Sequence, residues 1–172
     1  MSILRTQRLD LLPASAQTLE LLIAGEYSRA GQDLGVVIPD GWPHEPEPLA
    51  GLPWHLRALR DDPSALLWRV RLLVLRAECR VIGSINLKGP PDEDGTIEIG
   101  WGVTAEYRKR GIATEGTRAV IEWGMMQPGV RRVIATIPND NRASQRLAER
   151  LGMSATQETR RGLPVWALRK NE

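Results

Sequence analysis

The sequence of 172 residues contains only one cysteine, two histidines and no phenylalanine. The single cysteine, Cys79, excludes an intrachain disulfide and predicts a protein of the reducing cytoplasm. Two histidines and one cysteine are too few for a usual four-ligand zinc site, so no metal is expected. No apolar run approaches the roughly 20 residues that span a bilayer, and the N-terminus turns polar at once. We therefore expect neither a membrane span nor a secretory signal.

Net charge is also small, because 23 lysines and arginines face 21 aspartates and glutamates, a balance of +2. This balance argues against a nucleic-acid surface, so an RNA-binding or ribosome-associated domain ranks last among the candidate functions. The composition is otherwise that of a globular chain, 42% hydrophobic and 26% charged. The length predicts one domain over residues 1–172, since domains commonly have about 100–200 residues.

The hydrophobic pattern switches between strand and helix periods along the chain. In the first half it predicts strand 6–12, helix 16–30, short helix 53–60 and strands 67–76, 79–87 and 96–103. In the second half it predicts helix 111–126, strand 130–137, helix 141–151 and strands 155–160 and 163–169. This mixed order favours an α/β fold in which helices cover both faces of a sheet.

Three smaller expectations follow from local composition. Residues 31–53 hold five prolines and four glycines, which predicts a long loop, and long loops in compact domains are often functional. Cys79, at a strand start, is expected to be buried or half-buried. Arg160 and Arg161 precede Gly162 in a turn, where they are expected to be solvated.

The segment 97–115 carries the clearest chemical signal. A strand leads into a basic loop with Arg108, Arg110 and Gly111, and a helix follows. The free N–H groups at a helix N-terminus favour an anion, and glycine lets a ligand approach the backbone closely. This arrangement suits a pyrophosphate or a sugar phosphate, although a solvated basic turn is the alternative. It matches neither G-x-x-x-x-G-K-[ST] nor G-x-G-x-x-G.

The same loop, residues 108–113, resembles motif A (R/Q-x-x-G-x-G/A) of the GNAT superfamily of N-acetyltransferases. Residues 141–144 and 147–153 resemble its motif B, an N-x-x-S helix that ends in L-G-F/M. Residues 6–11 resemble the T-x-R-L-x-L start of the subgroup that acetylates ribosomal-protein N-termini, and residues 82–85 and 98–101 also match that subgroup. The likeness covers nearly the whole chain in order.

The resemblance implies a mixed, mostly antiparallel sheet of six to seven strands that splays open. It also implies that acetyl-CoA and a primary amine are the two substrates. It divides the chain into a substrate-side loop and short helix (31–62), a pyrophosphate motif (97–126) and a second motif helix (139–153). The implied cofactor-binding residues are Trp101, Val103, Arg108, Lys109, Arg110, Gly111, Ile112, Ala113, Thr114, Asn141 and Ser144. A homodimer is also implied.

The implied catalytic residues are Glu98, which would activate the amine directly or through water, and Ser144, near the expected CoA sulfur. The alternative for Glu98 is an ordinary strand carboxylate, and the alternative for Ser144 is a residue that only touches or caps its own helix. For the side chain of Asn141, an N-cap role is favoured over a bond to the cofactor. The sequence departs from the family where many members carry a general-acid tyrosine, because Ala148 stands there. The leaving thiolate would then be protonated by Ser144 or water, or leave unprotonated.

On the acceptor side the resemblance implies Trp42, His44 and Trp54, within a loop region that also holds several acidic residues. An acidic, aromatic rim would suit a cationic amine or a peptide N-terminus. The alternative is a solvated loop whose tryptophans enter the core. The competing function is an acyl-CoA-binding regulatory module without transferase activity, which the missing tyrosine favours and the intact motif A loop disfavours.

Overall fold

The computed structural model describes residues 3–42 and 46–170, and it contains one eight-stranded sheet. The strands are β1 (Leu4–Arg5), β2 (Leu9–Pro13), β3 (Val70–Leu75), β4 (Arg80–Leu87), β5 (Thr96–Val103), β6 (Arg132–Thr136), β7 (Ser154–Arg160) and β8 (Leu163–Arg169). Their order in the sheet is β1-β2-β3-β4-β5-β6-β8-β7. Only the β5–β6 pair is parallel among these neighbours.

Helices cover both faces, and they are α1 (Ala16–Ile23), α2 (Tyr27–Leu34), α3 (Pro46–Asp61), α4 (Ile112–Met126) and α5 (Arg142–Arg150). The strand β3 shows why, because apart from Arg71 its side chains are apolar on both sides. Leu72 and its neighbours at even positions pack into a core with α1–α3, while Leu73 and Leu75 pack into a second core with α4 and α5. The predicted α/β fold with helices on both faces is confirmed, with eight strands in place of six to seven.

The N-terminal elements are shorter than predicted. Residues 6–12 do not form one strand, because Thr6 turns the chain: its N–H donates to Leu9 O over 2.9 Å, and its hydroxyl accepts from Leu9 N over 3.0 Å. The predicted helix 16–30 is two helices, α1 and α2. Gly25, whose φ is 76°, separates them in a conformation that glycine adopts without strain.

The predicted long loop 31–53 is also corrected. The helix α2 continues to Leu34, and α3 already begins at Pro46, so the segment between these helices spans only residues 35–45. Pro53 lies inside α3 and not in a first turn. Leu52, Leu56 and Leu59 recur at helical spacing on its buried face. Their packing offsets the backbone hydrogen bond that proline cannot donate.

Two further local expectations change. Trp68 belongs to a 3₁₀ segment, Pro63–Trp68, and not to the following strand. Cys79 is exposed, because it ends a tight turn, where its φ is 49°. Its thiol donates to Gly35 O over 3.3 Å. No helix in the described ranges is long and apolar enough to cross a membrane.

Candidate active site

The sheet opens between β5 and β6. The two strands pair only at Thr96, Ile97 and Glu98, whereas β4 pairs with β5 from Ile99 to Val103. Pro138, which follows β6, cannot donate a ladder bond, which is consistent with an open edge here. The far half of β5 therefore has a partner on one side and a V-shaped gap on the other.

Backbone groups of Trp101 and Val103 face this gap. Glu98 O accepts from Lys88 N over 2.9 Å, and Thr104 N donates to Ile82 O over 2.9 Å, so the even-numbered residues of this stretch bond toward β4. Since backbone groups alternate sides along a strand, the odd-numbered residues face the opposite way. Arg108 crosses to this edge and donates from Nε to Val103 O over 2.9 Å.

The basic loop after β5 ends at the N-terminus of α4. Gly111 is the N-cap with φ 76° and makes no side-chain capping bond, and the first helical bond runs from Glu115 N to Gly111 O over 3.0 Å. The N–H groups of Ile112, Ala113 and Thr114 precede that bond and are the ones a bound anion would accept from. Ile112 can contribute only its backbone, because its side chain is 1% exposed in the core.

Cationic side chains surround this helix end. Arg108, Lys109 and Arg110 are exposed, and Lys109 holds a left-handed φ of 60°. Arg110 lies 5.3 Å from the Tyr107 ring centroid, where the aromatic face steadies the guanidinium. The structure therefore brings the predicted strand edge, basic loop and helix N-terminus together in one continuous surface.

A residue that the sequence did not single out fixes this loop. Arg8, within the T-x-R-L-x-L segment, donates from NH1 to Arg110 O over 2.9 Å and pairs with Glu115 in the first turn of α4. Glu115 Oε1 also accepts from the Thr6 hydroxyl and from Arg8 N. The contacts join residues more than a hundred positions apart, so no local pattern could reveal them.

The helix α5 begins beside the second motif. Asn141 is its N-cap, and its side-chain oxygen accepts from Ser144 N over 3.1 Å. The side chain of Asn141 thus has the capping role that the sequence favoured. The Ser144 hydroxyl makes no hydrogen bond with the described part of the chain, so it is available to a ligand. Ala148 is fully buried, and no tyrosine occupies this helix.

Glu98 lies at the foot of the V-shaped gap, at the last position where β5 pairs with β6. Its side chain is 5% exposed, and its Oε1 accepts from Lys88 Nζ over 2.7 Å, from Thr136 Oγ1 over 3.1 Å and from Arg161. Arg160 NH1 lies 3.8 Å from the other oxygen. The Glu98 carboxylate is thus neither exposed to solvent nor surrounded by apolar side chains.

These contacts set the charge state of Glu98. Burial acts to raise its pKa, but the hydrogen bond and charge of Lys88, the charge of Arg161 and the Thr136 hydrogen bond together hold the pKa below its ordinary value. The carboxyl is therefore ionised at neutral pH. A carboxylate with a lowered pKa is a weak base, so it is better suited to orient an amine or a water molecule than to take a proton outright.

Arg161 occupies the β7–β8 turn with φ 50° and is exposed, as the sequence predicted. Its guanidinium also reaches Glu98, which the sequence did not predict. Arg160 likewise reaches both Glu98 and Asp92. The turn signal was visible in the sequence, but the contact spans 63 positions and carried no local pattern.

The predicted acceptor residues separate from one another. Trp42 is 1% exposed and packs into the α1–α3 core, so it offers no ring surface to an acceptor, and that assignment is corrected. Trp54 on α3 is 51% exposed and lies edge-on to His55, with ring centroids 4.8 Å apart. His44 lies outside the described residues.

His55 sits beneath Trp54 and is 4% exposed, with Nδ1 unpaired. Burial, helped by the nearby charges of Arg69 and Lys88, lowers its pKa to about 4. The ring is neutral at pH 7 and cannot carry a charge for recognition. Within the described ranges, no group of three histidine, cysteine or acidic side chains is placed to hold a metal.

Comparisons with known proteins agree with this geometry. The family model for an acetyltransferase (GNAT) domain matches residues 29–154. The N-acetyltransferase YjdG of Bacillus subtilis, whose function is uncharacterised, is 27% identical over 156 residues that cover 88% of this chain and 89% of that protein. The match therefore extends over almost the full length of both.

Solved structures share the fold at low identity. An acetyltransferase from Agrobacterium tumefaciens superposes with a TM-score of 0.68 at 19% identity, covering 99% of this chain and 95% of that one. RimL, a ribosomal-protein alpha-N acetyltransferase solved with coenzyme A, superposes with a TM-score of 0.63 at 14% identity, covering 98% of each chain. At these identities the likeness is one of fold.

Proposed function

This chain belongs to the GNAT acetyltransferase family, and on that premise we propose that it moves an acetyl group from acetyl-CoA to a primary amine. The proposal has both substrates bound together, with the amine attacking the thioester directly. The acceptor is a protein N-terminal amine or a small-molecule amine. Catalysis requires no metal in this scheme.

The observation that carries the proposal is the continuity between the open edge of β5 and the N-terminus of α4. Val103 ends that edge, and Gly111 begins the helix eight positions later. A pantetheine chain with amide groups can pair with the edge at Trp101 and Val103, while its pyrophosphate accepts from the N–H groups of residues 112–114. Lys109 and Arg110 then face the phosphate charges.

The reaction begins with a neutral amine nitrogen, which attacks the thioester carbonyl. The new C–N bond forms first and gives a tetrahedral intermediate, and the C–S bond then breaks as the thiolate leaves. We assign Glu98 to orient the amine and the water that takes its proton, because the lowered pKa keeps this carboxylate ionised. A backbone N–H on the open edge of β5 would stabilise the oxyanion of the tetrahedral intermediate.

Ser144 is assigned to the leaving group. Its hydroxyl lies in the first turn of α5, and the site has no tyrosine on that helix to act as an acid. A thiol has an ordinary pKa near 8.5, so a hydrogen bond from a hydroxyl is sufficient help for its departure. Asn141 contributes by capping the helix that holds this serine in place.

The first test is calorimetric titration of the protein with acetyl-CoA, followed by free-thiol release with a panel of amines. The double variant Lys109→Glu and Arg110→Glu should bind acetyl-CoA at least about tenfold more weakly, because charge-assisted phosphate contacts are lost. The matched control reverses Arg169 and Lys170, exposed at the far end of β8. Equal losses in both variants would contradict the proposed cofactor site.

The same experiment separates the enzyme from a binding module. Acetyl-CoA binding with thiol release on addition of an amine is the expected result. Binding without transfer to any amine would instead support an acyl-CoA-binding regulatory module. No binding at millimolar acetyl-CoA would overturn both.

A further inference from the structure

Three cationic side chains converge on one carboxylate at the foot of the open sheet. Lys88 and Arg161 both bond Glu98 Oε1, and Arg160 approaches Oε2. The Glu98 side chain is 5% exposed, whereas the three cations are 37%, 59% and 39% exposed. Asp92 also meets Arg160, at 3.2 Å. Glu158, whose charge also acts on Arg160, is paired with Arg132, so the cluster keeps a net positive charge, and its cations are more exposed than Glu98.

A buried cation, Arg69, adjoins this cluster on the side of α3. Arg69 donates from NH1 to Lys88 O over 3.1 Å, and its guanidinium lies 5.0 Å from the ring centroid of the exposed Trp54. The Arg69 residue is 9% exposed, yet its Nε has no hydrogen-bond partner. Asp62 is the acid whose charge acts on it, and His55 beside it carries no charge at neutral pH. A buried guanidinium with an unsatisfied donor is costly unless something pairs with it.

Resting on the proposed function, we infer that the acceptor amine carries an anion, a carboxylate or a phosphate, within a few bonds of its nitrogen. If Glu98 orients the amine, the groups around Glu98 face the atoms next to that nitrogen. Arg161 has five N–H groups in a planar fork, a geometry that matches carboxylate and phosphate oxygens, and Lys88 adds a point charge.

The anion is a recognition group and takes no part in the bond changes. Acetyl leaves sulfur for nitrogen, one proton goes to water, and the carboxylate or phosphate leaves the reaction unchanged. The exposed Trp54 lies beside Arg69 and offers a ring against which an apolar part of the acceptor can pack. This inference differs from the acidic, aromatic rim that the sequence suggested for a cationic amine.

The test uses the full-length protein, acetyl-CoA and matched acceptor pairs, with thiol release as the readout. Free amino acids are compared with their amides, and phosphoethanolamine with ethanolamine, so the two sources of anion are scored separately. Short peptides with amidated C-termini represent protein N-termini. We expect kcat/KM at least about tenfold higher for an anionic member than for its neutral partner, as one charge-assisted hydrogen bond would give.

Two variants localise the effect. Arg161→Gln removes a partner of Glu98 and so affects both acceptors, but KM should rise about tenfold more for the anionic acceptor than for its neutral partner, because only the anionic one also loses a charge-assisted contact. Arg169→Gln, at the opposite end of β8, removes the same charge and should change neither. Circular dichroism confirms that both variants fold.

Failure of this inference and failure of the proposed function would give different experimental results. Equal or faster transfer to the neutral amines or the peptide amides would overturn the inference and leave the acetyltransferase intact. Transfer to none of the anionic amines overturns it as well, whatever the affinity for acetyl-CoA. Absence of acetyl-CoA binding in calorimetry is the separate result that would defeat the proposed function itself.

Discussion

Arg8 Nε donates to Glu115 Oε2 over 2.7 Å, and this ion pair ties the turn after β1 to the first turn of α4. The carboxylate is 17% exposed, so the pair is partly shielded from water. Because Arg8 also bonds Arg110 O, one side chain holds both the basic loop and the helix that follows it. The turn between β1 and β2 therefore holds the proposed pyrophosphate site in position through Arg8.

Replacing Glu115 by glutamine tests this bracing. Glu115→Gln removes the charge that Arg8 meets and weakens the bonds from Thr6 and Arg8 N. We expect a loss of about 1–3 kcal/mol in the free energy of unfolding and weaker acetyl-CoA binding. Urea denaturation and calorimetry measure the two effects. Glu122→Gln, exposed on the same helix, is the control and should change neither.

The stability loss of Glu115→Gln has a defined pH dependence. Burial acts to raise the pKa of Glu115, but the bonds from Thr6 and Arg8 and the Arg8 charge hold it below its ordinary value. A lowered carboxyl pKa contributes stability above the unfolded value near 4.5, and the contribution is lost as pH falls through the folded pKa. The variant and the wild type should therefore converge in acid. A constant difference down to pH 2 would contradict the ion-pair explanation.

Glu98→Gln separates chemistry from cofactor binding. The amide keeps the shape but removes the charge that orients the amine and its water, so we expect kcat to fall by about a hundredfold. The acetyl-CoA dissociation constant should stay within about twofold, because Glu98 lies away from the phosphate loop. Glu93→Gln, in the exposed β4–β5 turn, is the matched control. Unchanged kcat would exclude Glu98 from the reaction.

Elements with strong local periodicity were predictable from the sequence. The strands Thr96–Val103 and Leu163–Arg169 have the predicted bounds, and α4 starts one residue after the prediction. In these segments the local pattern and the tertiary packing agree, so the period of the apolar residues is sufficient. The loop motif at 108–113 was visible for the same reason, since its cations and glycine are adjacent in sequence.

Features that depend on distant contacts were not predictable. Composition predicted a loop up to Pro53, but the structure has the helix α3 there. The leucines of that helix are buried against the partner helices, and this packing is not apparent from the sequence. Trp42 was assigned to the acceptor site by the family resemblance, but it fills the core. Arg161 is exposed as predicted, but its contact with Glu98 depends on the topology of β7 and β8 and could not be predicted.

His55 predicts how stability changes with pH. Its pKa is about 4 in the folded protein and near 6.5 when unfolded, so the unfolded chain binds more protons between these values. Stability is therefore complete above pH 6.5 and falls as pH drops toward 4. At about pH 5 the loss amounts to ~2 kcal/mol relative to pH 7.

Urea denaturation at both pH values checks this. His55→Gln should remove that part of the pH dependence, since glutamine does not titrate. His44→Gln, which replaces the other histidine of the chain, is the control and should retain it. The same slope in His55→Gln and wild type would show that another group is responsible.

Substitutions of Asn141 and Ser144, at the start of α5, should have different effects. Asn141→Ala removes the oxygen that accepts from Ser144 N, so we expect the unfolding free energy to drop by about 1 kcal/mol, the usual cost of losing an N-cap. Ser144→Ala leaves that backbone bond in place and removes only the hydroxyl. It should alter stability by less than about 0.5 kcal/mol, yet lower kcat, because the thiolate loses its hydrogen-bond donor. Acetyl-CoA affinity measured alongside kcat distinguishes the two roles, and a Ser144→Ala enzyme with normal kcat would leave water as the donor to the leaving group.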